Sequence, residues 1–250
     1  IYFSLSRAYR EPTRSDFENN INIQPEELVD YELGWKFNTK KFYFSSNLYY
    51  MNYKNQLVLT GALDDVGSPI RKNSGKSFRK GIELESIFKA TNNLDISSNI
   101  SFSRNKNIDY KTNFDGVLTN WGDTDISFSP DLVSSIGINF RPKEDINISV
   151  LNKFVGEQFM SNTESVVSKL NSYSTTDLNF IYSFKRSKHF KEIIFTAMIN
   201  NIFNKEYVSN GYYYTYDDTW SEPNMITTIE GTGYYPQALR NFLLGITFKL

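Results

Sequence analysis

The sequence has 250 residues, with 27 basic and 28 acidic side chains and a formal net charge of -1. A balanced charge gives no global field that would favour nucleic acid as a partner. The absence of cysteine excludes a disulfide scaffold and a thiolate metal site, and the single histidine, His189, leaves little for imidazole-based metal or acid–base chemistry.

The aromatic content is high, with 20 Phe and 17 Tyr against 3 Trp. Such a load of rings is unusual for a soluble enzyme and common where rings lie at a membrane boundary. No run of 18 apolar residues occurs, so the sequence predicts no transmembrane helix. The chain starts at Ile1, inside an apparent strand and without a signal peptide, and we therefore expect a piece of a longer protein.

From the N-terminus onward, apolar and polar residues alternate with the period of a β-strand. Val29, Tyr31 and Leu33 share one parity, for example, whereas Asp30 and Glu32 share the other. No convincing amphipathic helix interrupts the series. The predicted strands span residues 1–6, 29–37, 42–59, 74–89, 94–107, 132–140, 146–159, 178–184, 193–201 and 235–250.

The connections between these strands alternate between long and short. The long ones are predicted as loops at residues 9–27, 61–73, 108–130, 160–171 and 208–234, and the short turns lie at 38–41, 91–93, 142–145 and 185–191. Bacterial outer-membrane barrels have short periplasmic turns and long extracellular loops in the same alternation. Eight of the ten predicted strands have 9 or more residues, and a tilted membrane strand needs about 9 to 11.

We therefore predict an all-β fold, a portion of an antiparallel transmembrane β-barrel with about ten long strands, short periplasmic turns and long extracellular loops. The apolar parity faces lipid, and the polar parity, which includes Lys36, Glu83 and Glu85, faces a wet or plugged lumen. Backbone groups in lipid must all be paired, so the last strand should pair with its predecessor and with the first strand of the barrel. If that first strand lies outside these residues, this chain forms an open curved sheet.

Three local patterns resemble the TonB-dependent outer-membrane receptors, in the C-terminal half of their barrel. They are Ser6-Arg7-Ala8-Tyr9-Arg10-Glu11-Pro12-Thr13, then Gly81-Ile82-Glu83-Leu84-Glu85, and finally Asn200-Asn201-Ile202-Phe203-Asn204-Lys205-Glu206-Tyr207. Their order and spacing resemble the family along essentially the whole chain. One departure is the end of the chain, because the family usually ends in Phe or Trp and this sequence ends in Leu250 with Phe248 on the same face.

The resemblance implies a plugged barrel of about 22 strands, of which residues 1–250 would be the C-terminal part, without the plug and the early strands. It implies a transport receptor and not an enzyme, with no cofactor or metal held by the chain. The implied partners are outer-membrane lipid and lipopolysaccharide, the TonB complex through the plug, and a small-molecule ligand. An iron–siderophore complex or haem is the expected ligand, with cobalamin and glycans left open. The Asn-, Lys- and Ile-rich composition suggests a Bacteroidetes-like source.

The candidate ligand-binding residues lie in the predicted long connections. Aromatic rings there offer apolar area and hydroxyl groups to an external ligand. The alternative is an aromatic girdle at the outer membrane interface or, for the arginine, a solvated rim. The candidates are Tyr213, Tyr214, Tyr216, Trp220, Trp121 and Arg10.

Two other functions fit the same pattern. A barrel of about ten strands could stand alone as an outer-membrane pore or adhesin, or the chain could be a soluble all-β binding module. An enzymatic function is less well supported, because His189 lies in the predicted basic turn at 185–191, at the end opposite the long loops. The sequence also has no Gly-rich phosphate loop and no nucleophile elbow.

Overall fold

The computed structural model describes residues 1–64, 67–185 and 190–250, so His189, Arg186 and Lys188 of the predicted basic turn lie outside the described residues. Apart from one short helix and one 3-10 turn, Val166–Ser168, the elements are strands. In chain order they are β1 Tyr2–Arg10, α1 Arg14–Asn19, β2 Glu26–Asn38, β3 Phe42–Lys54, β4 Leu57–Leu63, β5 Pro69–Asn73, β6 Lys76–Lys89, β7 Leu94–Phe114, β8 Val117–Asp125, β9 Leu132–Lys143, β10 Ile146–Val155, β11 Gln158–Phe159, β12 Lys169–Leu170, β13 Tyr173–Phe184, β14 Glu192–Asn200, β15 Val208–Asp218, β16 Thr227–Pro236 and β17 Asn241–Lys249.

Ten of these strands form one antiparallel sheet, which we call the wall. Their order is β1-β2-β3-β6-β7-β9-β10-β13-β14-β17, and β8 pairs with β7 beside this path. These ten strands correspond to the ten predicted ones, which are confirmed, whereas β8, β15 and β16, with 9 to 11 residues, were not predicted. The wall strands have 9 to 14 residues, except for β7 with 21. In the described part of the chain β1 and β17 each pair with a single neighbour, so the sheet is open.

The two faces of the wall differ as the alternation predicts. Leu33, Leu48, Ile82 and Phe102 lie side by side across β2, β3, β6 and β7, and form one row of the apolar face. The polar face lines a hollow of about 650 Å³ that reaches from Tyr2 on β1 to residues on β10, so the sheet curves around its polar face. In the described residues no helix is long and apolar enough to cross a membrane.

The buried apolar side chains do not lie in the middle of the wall. A single curved sheet has no second layer against which its apolar face could pack, and that face stays exposed. The buried set instead gathers at the end of the wall where the long connections lie, which we call the hairpin end. Its described members are Ile23, Leu57, Val58, Tyr110, Ile126, Val155, Met160 and Leu170.

The long connections at residues 61–73, 108–130 and 208–234 lie where they were predicted, but they largely fold as β-hairpins and not as irregular loops. These are β4/β5, the end of β7 with β8, and β15/β16, and together with residues 156–172 we call them the cap. β15 runs parallel to β4 at Thr215 and Ala62, which joins two hairpins into a second sheet in the order β16-β15-β4-β5. These segments form hairpins because they pair with strands that are distant in the sequence. Such pairing is hard to recognise from the local sequence alone.

Several boundaries also differ from the sequence prediction. β3 ends at Lys54 and β10 at Val155, each four or five residues before the predicted end, because the chain leaves the wall to enter the cap. β17 starts at Asn241 and not at Tyr235, since Tyr235 pairs with Asn210 in the cap.

The helix α1 was not predicted, and it has only six residues. Asp16 accepts hydrogen bonds from the backbone nitrogen and the hydroxyl of Thr13, at 2.8 and 2.7 Å, which closes the first turn. Asp16 is buried and forms an ion pair of 3.4 Å with Arg71 on β5. The helix therefore ties the β1–β2 connection to the cap.

The third sequence pattern, from Asn200 to Tyr207, is the folded turn that ends β14. Asn201 adopts a left-handed backbone with φ of 51°, a conformation that asparagine tolerates better than most residues. Its side chain donates to Lys205 O and accepts from Lys205 N, at 2.8 and 2.9 Å, and its own backbone nitrogen donates to Asp177 on β13. These bonds explain why an asparagine stands at this place in the pattern.

Candidate ligand-binding site

A cavity of about 500 Å³ lies within the cap. It is formed by β4, by the segment that follows β11, and by the first half of β15, which meet because β15 pairs with β4. This volume falls in the range of about 300–1,000 Å³ that is usual for small-molecule sites. The lining side chains include Leu59, Ala62, Leu63, Phe128, Met160, Asn162, Tyr212, Tyr213 and Tyr214.

Close contact between β4 and β15 depends on Gly61. This residue adopts a left-handed backbone with φ of +91°, and a Cβ there would lie 2.9 Å from Tyr213 Cε1. Glycine alone combines that backbone conformation with so close an approach. The aromatic face of β15 can therefore lie directly against β4.

The lining of the cavity is neutral. Among its described residues there is no Asp, Glu, Lys or Arg, and the polar atoms come from hydroxyl, amide and backbone groups. Apolar and aromatic walls with a few polar groups are typical of sites that hold an organic ligand and fix its orientation. The arrangement can therefore bind an uncharged or aromatic part of a ligand by ring contact and dispersion.

Asn162 holds the segment after β11 in place beside the cavity. Its carboxamide oxygen accepts from Asn107 Nδ2 and from the backbone nitrogen of Ser127, at 3.2 and 3.0 Å. Its amide nitrogen donates to Leu59 O at 3.0 Å. One side chain thus connects β7, the β8–β9 connection and β4, so the cavity wall is built from segments far apart in the sequence.

Tyr213 joins the cavity to the neighbouring strand β16 of the same sheet. Its hydroxyl donates to Glu230 Oε1 on β16 at 2.7 Å. Burial, together with this carboxylate, raises the pKa of Tyr213 well above its ordinary value, so the phenol stays protonated at neutral pH. The ring of Tyr213 is therefore a neutral surface in a fixed position, and its hydroxyl proton is already used in the hydrogen bond to Glu230.

Below the cavity, Lys72 on β5 lies over the ring of Tyr110, with the ammonium nitrogen 4.6 Å from the ring centre. The ammonium also donates to the backbone oxygen of Lys111. Tyr110 is 1% exposed, and burial lowers the pKa of Lys72 from 10.5 to about 8. Partial desolvation of this half-buried lysine thus opposes its charged form.

The structure separates the six predicted site residues. Tyr213 and Tyr214 line the cavity. Tyr216 and Trp220 stack on each other at 6.2 Å towards the tip of β15/β16, outside the cavity lining, and Trp220 is 71% exposed. Whether any of them contacts a ligand stays a prediction.

Trp121 and Arg10 lie elsewhere. Trp121 on β8 packs edge-on against Phe114 at 5.4 Å. Arg10 ends β1, exposed to solvent and opposite Glu26 on β2. Neither side chain lines the cavity, and a ligand role for them also stays a prediction.

Sequence reasoning missed Met160, Phe128 and the residues of β4. Leu57–Leu63 and Pro69–Asn73 are separated by a short segment that contains Gly67, which is a hairpin signal that the prediction did not use. Met160 is buried against Gly211, where an added Cβ would lie 2.7 Å from its sulfur. Nothing local marks Met160 or Phe128 as part of a site.

Phe128 also borders a second hollow of about 280 Å³ on the polar face of the wall. That hollow includes Glu32, Arg79 and Asn105. Arg79 donates to Ser129 Oγ at 2.8 Å, which holds the connection beside Phe128 against β6. A bulky residue is rarely found at the left-handed φ of 53° that Phe128 adopts. One strained aromatic residue therefore stands between the cavity and the polar face.

Comparison with known proteins addresses the fold. A family model described as "TonB dependent receptor-like, beta-barrel" matches residues 1–202, and no curated protein matches the chain. The copper transporter OprC superposes with a TM-score of 0.71 at 17% identity, over 98% of this chain and 36% of that one. The ferric yersiniabactin uptake receptor FyuA from Yersinia pestis gives 0.64 at 15%, over 98% and 33%, and the ferric-catecholate import receptor Fiu from E. coli K12 gives 0.63 at 16%, over 97% and 31%.

The chain thus spans about a third of each of these structures, which are receptors or transporters and not enzymes. Identities this low show a shared fold and leave the ligand and the source organism open. The open antiparallel wall, the match over residues 1–202 and the structural neighbours agree with one another. This chain belongs to the family of TonB-dependent receptor-like β-barrels.

Proposed function

We propose that this chain forms the C-terminal part of the barrel of an outer-membrane receptor that takes up a scarce ligand with energy delivered through TonB. In this proposal the plug, the TonB-contacting segment and the earlier strands belong to the rest of the protein. The exposed apolar rows of the wall face lipid, the short turns are periplasmic and the cap is extracellular. The main observation behind the proposal is the neutral aromatic cavity of the cap, which is a preformed site next to the polar face of the wall.

The proposed ligand is an iron chelate of the siderophore type, or haem. Several of the structural neighbours are named as receptors or transporters of ferric chelates, which supports this class of ligand. The cavity adds a physical argument, because three tyrosines and a methionine favour flat aromatic or apolar ligand groups over a strongly charged chelate.

The polar face of the wall suits a docked plug. Lys36, Glu83 and Glu85 line its hollow of about 650 Å³. Charged side chains of this kind can pair with groups of opposite charge on a docked domain. We propose that a plug domain supplies these partners, and that the plug connects the barrel to TonB.

The proposal is tested by growth on candidate iron chelates as the sole iron source, in a strain that lacks the native gene and carries plasmid-borne variants. Ala62→Phe fills the cavity without removing a lining ring, and we expect it to reduce growth and ligand binding by tenfold or more, about 1.4 kcal/mol. Tyr216→Ala/Trp220→Ala, outside the cavity, should have a smaller effect. Growth that does not depend on TonB, or that is unchanged by Ala62→Phe on every chelate, contradicts the proposal.

A further inference from the structure

Charge is distributed unevenly around the cavity of the cap, although the chain as a whole is nearly neutral. The β15/β16 hairpin with its turn, residues 208–236, contains four carboxylates and no lysine or arginine. In the described part of the cap, lysine and arginine stand at five positions, which are Arg71, Lys72, Lys106, Lys111 and Lys169. A ligand that approaches the cavity along this hairpin therefore meets a negative surface potential.

Each of the five cations already has a partner. Four of them form ion pairs of 2.6 to 3.4 Å, which are Arg71–Asp16, Lys106–Asp125, Lys106–Glu164, Lys111–Asp109 and Lys169–Glu157. The fifth, Lys72, lies over the ring of Tyr110 and donates to a backbone oxygen. An anionic ligand would have to displace one of these partners before a cation of the described cap could neutralise it.

Several carboxylates of the two long hairpins, by contrast, have no cation within 4.0 Å among the described residues. They are Asp115, Asp123, Asp217, Asp218, Glu222 and Glu230. Glu230 acts on the cavity directly, because it accepts the hydroxyl proton of Tyr213 at 2.7 Å and Tyr213 lines the cavity. Its negative charge therefore repels an anion in the cavity and attracts a cation.

The lining itself offers an anion little compensation. Burying a charge is costly unless a counterion or hydrogen-bond donors accompany it. The lining has no charged side chain among its described residues, and three of its polar side chains already donate to protein acceptors. These are Thr60, Asn162 and Tyr213, which donate to Ile70 O, Leu59 O and Glu230.

We propose that the cavity selects an uncharged or positively charged ferric chelate over an anionic one. This inference rests on the proposed uptake function and narrows its ligand. Three hydroxamate groups balance the charge of a ferric ion, whereas three catecholate groups leave an excess of negative charge. The class that fits is therefore a ferric hydroxamate, above all one with a protonated amine, and the same argument disfavours citrate chelates and the carboxylates of haem. The exposed rings of Tyr216 and Trp220 can contact such an amine, because aromatic faces attract cations.

The test measures the binding of a matched charge series to the full-length protein purified in detergent. The probes are iron-loaded desferrioxamine B, which carries a protonated amine, and its N-acetyl and N-succinyl derivatives, which are neutral and anionic around the same iron centre. We expect the anionic derivative to bind more weakly than the amine by about tenfold or more, which corresponds to about 1.4 kcal/mol. The difference should shrink as sodium chloride is added, because salt screens charges beyond about 8 Å at physiological ionic strength.

Three variants locate the cause of the preference. Leu63→Lys supplies a cation at an exposed position of the lining and should shift the preference towards the anionic derivative by about tenfold. Leu63→Met changes the lining without adding a charge and should keep the wild-type order. Ile21→Lys adds the same charge at a side chain that is 85% exposed and outside the lining, and should also keep that order.

Equal or tighter binding of the anionic derivative by the wild type overturns the proposal, and so does a failure of all three probes to bind. An unchanged order in folded Leu63→Lys also overturns it, and the wild-type series does not depend on the folding of any variant. TonB-dependent growth on an anionic chelate alone rejects the charge selection and leaves the uptake function standing. The expected order of binding without TonB-dependent growth rejects the uptake function alone.

Discussion

At the scale of single residues, Lys72 shows how the cap can be tested. Its half-buried ammonium lies over the ring of Tyr110 with a backbone oxygen as its acceptor, and partial burial lowers its pKa from 10.5 to about 8. When folding lowers the pKa of a basic group, the group favours the folded state most above its pKa in the unfolded chain. This contribution to the free energy of unfolding is lost as the pH falls through the pKa in the folded state. The cap should therefore become more stable as the pH rises from 7 to about 9.5, below the range in which the raised pKa of Tyr213 makes the opposite contribution.

We expect competitive acetylation of Lys72, followed by mass spectrometry, to give a midpoint near pH 8. Tyr110→Ala admits water beneath the cavity and should move that midpoint back towards 10.5, because desolvation is the cause of the shift. A wild-type midpoint at the ordinary value would show that the base of the cap is hydrated.

At the scale of elements, the cap is an interlocked set of hairpins. The turn between β7 and β8 is fastened to β16 by a reciprocal pair of bonds, from Asp115 N to Thr228 Oγ1 and from Thr228 N to Asp115 Oδ1, both 2.7 Å. Lys106 adds ion pairs to Asp125 and Glu164 at 2.6 and 3.0 Å. Because of such contacts, segments that the sequence predicts as loops have a defined shape.

Asp115→Ala should loosen the tip of β7/β8 without affecting the wall. A net hydrogen bond contributes about 0.5–1.5 kcal/mol, so we expect amide hydrogen exchange at residues 112–119 to rise by about tenfold. Thr119→Ala is the control, because its hydroxyl bonds within its own strand, to Val117 O. Equal exchange in the two variants would mean that the contact with β16 contributes little.

At the scale of the whole molecule, the wall exposes one apolar face, which meets lipid in our proposal. Phe242, Leu244, Ile246 and Phe248 form the exposed apolar row of β17, and Leu244 is 85% exposed near the middle of the strand. β17 pairs with β14 along its whole length, so its orientation is fixed by nine register partners. The predicted pairing of the last strand with its predecessor is confirmed.

Leu244→Lys should reduce assembly of the full-length protein into membranes, because a lysine at mid-depth on the lipid face costs about 2–4 kcal/mol. Thr247→Lys places the same charge on the opposite face and should be tolerated. Heat-modifiable gel mobility of membrane fractions measures the folded fraction. If both variants assemble equally well, the apolar row does not face lipid.

The sequence by itself determined the wall: ten strands, their alternating faces, the short turns and the pairing of β17. Period-2 alternation is local information, because each strand shows in its own residues which face is apolar. The family patterns at residues 6–13, 81–85 and 200–207 indicated the same fold.

Tertiary structure alone decided the cap and its cavity. Tyr213 and Tyr214 could be proposed from their aromatic context, but Met160, Phe128 and Leu59 become neighbours of these tyrosines only when β15 pairs with β4 and Asn162 connects three segments. These contacts join residues about 35 to 150 positions apart. Their formation depends on packing in three dimensions, and no periodicity in the chain records it.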